Sequence, residues 1–174
     1  MTALDVYRSL LRTNHDALEG TLADVTPAQA TWDPPGQAFS IAANYAHVLG
    51  TEDLVIQRLL QGADPLATST WGGRMGVSEL PPFGPGGDMK AWSRQAKVDL
   101  PALRRYGQAV YAATDAYLAA AGPEALARPI DLSKLGLGEQ PATFLLNALV
   151  ANAAMHCGEI SCLKGLQGQK GYPM

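Results

Sequence analysis

The chain has 174 residues, 47% apolar and 17% charged, which is enough for one domain with a sizeable core and too apolar for a disordered segment. Sixteen acidic against thirteen basic side chains leave a net charge of −3, so no cationic surface is expected for a polyphosphate backbone and nucleic acid is not the expected partner. The apolar residues are too evenly interrupted for a membrane span, and the segment MTALDVYRSLLRTNHD carries charges where a secretory leader would be apolar. A cytoplasmic protein is expected. Cys157 and Cys162, five apart in one helical segment, point to different faces and are read as reduced thiols.

The periodicity is helical throughout. A first helix is expected from about Leu4 to Ala23, with Leu4, Leu11, Leu18 and Leu22 forming one buried stripe. Pro27, Trp32, Pro34, Pro35 and Gly36 break the pattern. Ser40 then suits the N-cap of a second helix over Ile41 to Leu60, which Gly62 terminates. Residues 62–87 hold seven glycines and four prolines and are expected to form a long irregular loop. A third helix is expected from near Asp88 to about Ala121, with Pro101 as a kink or restart. Residues Pro129 to Gln140 suit a short hairpin or an extended cover. The last helix starts after Pro141 and runs to about Gly168. Four amphipathic helices in one domain over 1–174 predict an all-α four-helix bundle, with connections long enough to cross over. The alanine-rich face of the third helix, Ala109 to Ala120, suits close helix packing and would serve a homodimer equally well.

Three histidines, His15, His47 and His156, all lie in predicted helices. His15 shares the stripe of Leu11, Leu18 and Leu22 and is expected to face inward. His15 precedes its helix end by about as many residues as His47 follows the start of the next, so antiparallel packing would put both in one layer. An ordinary alternative for His15 is a hydrogen bond to a carboxylate such as Asp16 or Glu52. Asn152 and His156 lie one turn apart on the last helix, with Glu159 adjacent to His156. Glu52 and Asp53, five and six residues after His47, are expected on the solvent side. Trp71, in the Gly-rich loop with Arg74, could close over a cavity.

Trp32 and Pro34 before FSIAANYAHVLGTED, together with the ending ANAAMHCGEISCLKGLQGQKGYP, resemble the DinB/YfiT-like superfamily of four-helix-bundle metalloenzymes over nearly the whole chain. The resemblance implies a divalent metal, zinc, nickel or iron, held by a histidine of the second helix and an H-x-x-x-H pair on the last. Carried across, these positions are His47, Asn152 and His156. The chain departs from the pattern at Asn152, whose neutral amide binds such ions weakly. His15 is the candidate that would complete the set, and Glu159 the residue that would orient His156. Relatives include thiol-dependent transferases and an isomerase, so a small-molecule substrate or thiol is the implied partner, and a metal-dependent transferase or hydrolase the implied activity. The alternative is a metal-free, non-catalytic stress-response or binding module that keeps the fold.

Overall fold

The structure, a computed structural model, describes residues 1–82 and 87–173. The chain is mostly helical. Helix α1 (Ala3–Leu22) is started by a reciprocal cap in which the Thr2 hydroxyl accepts from the Asp5 amide while the Asp5 carboxylate accepts from the Thr2 amide. The proline-rich connection contains one extra turn, α2 (Pro27–Ala30), which forms because Thr26 caps it and Pro27 fits a first-turn position. Helix α3 (Ile41–Asp53), capped by Ser40, continues as a π-helical segment (Leu54–Gln61) and ends at Gly62 with φ 72°.

The third predicted helix is a correction: it is two helices, α4 (Met89–Gln95) and α5 (Leu100–Ala120). Ala96 turns extended, and Val98 forms a bridge with Val77 of the Gly-rich loop. Asp99 then caps α5 and Pro101 occupies its first turn, so the proline marks a restart. The loop backbone approaches α5 closely at Gly76, where φ is +91° and a Cβ would lie 2.5 Å from the Leu103 nitrogen. Gly84, Pro85 and Gly86 of that loop lie outside the described residues.

Residues 129–141 form the hairpin, β1 (Pro129–Asp131) antiparallel to β2 (Glu139–Pro141), with Ile130 opposite Gln140. Helix α6 (Ala142–Leu166) completes the chain, and the following Gln167 side chain donates back to the Gln29 carbonyl at 3.2 Å.

The four long helices pack α1 on α5 and α6, and α3 on α5 and α6. Their buried residues form two apolar clusters. One holds Leu18, Leu22, Tyr45, Leu49, Tyr106 and Ile160; the other holds Leu4, Leu11, Ile56, Leu60, Leu118 and Leu146. Along α1, α3 and α5 the change from one cluster to the other falls at a polar residue, His15, Glu52 and Thr114 respectively, all buried. A polar layer therefore divides the core. Among the described residues no helix is long and apolar enough to cross a membrane.

Candidate functional site

Helix α3 is enclosed on nearly every side, because α5 and α6 both pack on it and the loop after it folds back. Only His47 and Thr51, one turn apart, are not fully buried between Ile41 and Asp53. That narrow face opens toward α6, where Asn152, His156 and Glu159 follow at intervals of four and three residues. The rings of His47 and His156 meet edge to face, with centroids 4.9 Å apart and planes at 68°. The structure thus brings together the two imidazoles that the sequence assigned to one place.

The hydrogen bonds settle how His156 is held. The Asn44 side-chain nitrogen donates to the carbonyls of Phe39 and Ser40, which turns its oxygen toward the imidazole, 3.0 Å from His156 Nδ1. Glu159 Oε2 lies 2.7 Å from the same nitrogen. Both partners are acceptors, so Nδ1 is the nitrogen that donates. In the neutral ring the lone pair is then on Nε2. His47 is held below the ordinary imidazole pKa, first by burial and then by His156, while a hydrogen bond accepted by Asn152 and the charge of Glu159 oppose the shift. A neutral imidazole is the form that can ligate a metal ion or accept a proton.

His15 has different neighbours. It meets α3 at Glu52, five residues beyond His47, with Nε2 2.9 Å from Glu52 Oε2. Thr114 donates to the other carboxylate oxygen at 2.6 Å, and the Tyr111 ring stacks on the imidazole at 3.8 Å. One shared layer for His15 and His47 would need α1 and α3 to pack side by side and antiparallel. Instead α1 and α3 each pack chiefly on α5 and α6, and the connection between them spans eighteen residues, α2 included.

Glu52 and Asp53 are corrected from solvent-side charges to interior ones, 2% and 1% exposed. Their position follows from the enclosure of α3, which leaves no solvent side for them. Glu52 serves the polar layer. Asp53 accepts from the amides of Leu66 and Ala67, both at 2.9 Å, and from the Tyr106 hydroxyl at 2.7 Å, and so pins the start of the Gly-rich loop. Trp71 of that loop packs edge-on to Tyr106, 5.9 Å between centroids, and Arg74 lies over the indole. Sequence reasoning also missed Asn44. An Asn three residues before a candidate ligand histidine lies on a neighbouring face, and that spacing was the available signal.

Among the described residues no group of three His, Cys, Asp or Glu side chains is arranged to hold a metal ion. The convergent donors are therefore two imidazoles and the Asn152 amide oxygen. One imidazole has its far nitrogen tied to a carboxylate, the arrangement by which proteins orient a ligand histidine and raise its basicity. The set offers two strong donors and one weak donor where zinc sites ordinarily have three strong ones.

The comparisons agree with this architecture. A solved structure titled the conserved protein of locus from Enterococcus faecalis superposes with a TM-score of 0.79, covering 95% of this chain and 97% of that one at 23% identity. That likeness concerns the fold alone. No curated protein matches the chain. The sequence model of the DinB superfamily matches residues 10–160, a span that contains every residue of the polar layer and of the histidine pair. With most of its length inside that match, the chain belongs to the DinB superfamily.

Proposed function

We propose that the four long helices form a DinB-type four-helix bundle whose His47, His156 and Asn152 bind a divalent ion weakly, in the service of a metal-dependent transferase or hydrolase reaction on a small molecule or thiol. One observation carries this reading. The Glu159 carboxylate and the Asn44 oxygen hold His156 Nδ1 as a donor, leaving Nε2 as the lone-pair nitrogen of a ring that touches His47. When bound, a divalent ion supplies Lewis acidity and lowers the pKa of a thiol or water nucleophile. The chain's own residues do the rest. Burial keeps His47 neutral, Asn152 positions it, and Glu159 fixes the tautomer of His156 and balances positive charge gathered at the ring.

Equilibrium dialysis of the full chain against zinc or nickel tests the reading. Uptake of about one equivalent, with micromolar or weaker affinity and lost in His156→Ala, is the expected result. Failure to take up metal at about millimolar concentration contradicts it. A second reading, a metal-free binding module, is favoured by the lack of a third strong donor among the described residues. It predicts that result, together with an unchanged melting temperature on adding either metal.

A further inference from the structure

A second polar centre lies on another flank of the molecule. A cavity of about 340 Å³ runs between α1 and α5, and no residue of α6 lines it. That volume is within the range of small-molecule sites. Its apolar wall is formed by Leu11 and Leu118, and its charges are sorted along the helix.

At one end, Arg8 donates Nε and Nη2 to the two oxygens of Asp115 at 3.0 and 2.9 Å, and Arg12 reaches the same carboxylate at 3.2 Å. Two guanidinium groups thus share one carboxylate and leave a net positive charge. Arg12 uses one of its five N–H donors in doing so. At the other end, Glu19 is matched by Arg104 at 3.2 Å and also accepts from the Tyr111 hydroxyl. Asp16, one turn beyond Arg12, has no cation partner among the described residues, so this end is net negative.

Between the two ends stands His15. A carboxylate accepts on both oxygens, so Thr114 Oγ1 and His15 Nε2 both donate to Glu52. The neutral His15 ring then carries its lone pair on Nδ1, which has no hydrogen-bond partner among the described residues. The ring itself lines the cavity. Read along α1, the wall offers a positive site, an imidazole nitrogen with no hydrogen-bond partner among the described residues, and a negative site.

We propose that this cavity binds a small amino-carboxylate zwitterion, its carboxylate at Arg8 and Arg12 and its ammonium between His15 Nδ1 and Asp16. One helical turn separates Arg12 from Asp16, a rise of about 6 Å, which suits a carboxylate and an ammonium joined by about three carbons. Either half of such a ligand alone would leave one charged end of the cavity unmatched. The proposal does not rest on metal binding at His47 and His156.

The test uses the full chain with isotope-labelled imidazole nitrogens, titrated with γ-aminobutyrate and, as its two halves, with butyrate and butylamine. The expected result is a saturable shift of the His15 nitrogens by γ-aminobutyrate, with a Kd at least about tenfold below that of either half. Arg12 is exposed and its replacement does not disturb the core, so Arg12→Gln is the decisive variant. It should weaken γ-aminobutyrate binding by about tenfold. The proposal is overturned if the His15 nitrogens do not respond, if either half binds as tightly as the zwitterion, or if Arg12→Gln binds like the parent chain.

Discussion

The molecule contains two imidazole–carboxylate pairs of nearly equal length in opposite surroundings. His15 and Glu52 are 2.9 Å apart in the layer that divides the core, with 10% and 2% of their side-chain surface exposed. His156 and Glu159 are 2.7 Å apart at the rim, where the carboxylate is 55% exposed. Distance therefore does not distinguish them. What differs is whether water can replace a lost partner. In the layer the Glu52 carboxylate is sealed from it, so loss of that carboxylate or of a donor to it has a structural cost. At the rim it can, and the pair is free to serve orientation and chemistry rather than stability.

The largest expected effect follows from the buried pair. Glu52→Ala removes the acceptor of both His15 and Thr114, and should lower unfolding free energy by about 3 kcal/mol or more, read by urea denaturation. A loss under about 1 kcal/mol would erase the contrast between the two pairs. At the rim, Asn152→His supplies a third nitrogen where the chain has an amide. It should tighten zinc binding by about a hundredfold in calorimetric titration, since it restores a three-nitrogen set.

Smaller effects sharpen the same contrast. Thr114→Val keeps the shape of the side chain but takes one donor from Glu52, for an expected loss of about 1–2 kcal/mol in denaturant unfolding. Glu159→Gln should leave stability within about 0.5 kcal/mol while weakening metal binding by about tenfold, because the ring loses its orienting charge and keeps its solvent. Equal stability losses from Glu52→Gln and Glu159→Gln would show that the two surroundings do not act as described.

Much of the architecture is legible in the sequence. The stripe of α1, the Ser40 cap, Gly62 as terminator and the hairpin before Pro141 are local signals, and local structure answers to them. The break between α4 and α5 was legible only as a kink or restart at Pro101, and the extended segment before it was not. Ala96, Lys97 and Val98 fit a helix as well as an extended segment, and the choice is made by the pairing of Val98 with the distant Val77. The convergence of His47 and His156 was legible through the resemblance of their flanking motifs. The interior placement of Glu52 and Asp53 was not, because enclosure of α3 by its neighbours is a property of packing rather than of spacing. For His15 the sequence left two partners open, a metal set and a carboxylate. The structure gives it Glu52, five residues beyond His47 on α3.

The most direct test of a shared site at the rim is to record the imidazole nitrogens of all three histidines while adding zinc to the full chain. Joint perturbation of His47 and His156 along a single binding curve, with His15 unmoved, is the predicted outcome. A response confined to one ring of the pair, or one in which His15 moves along the same curve, would contradict it.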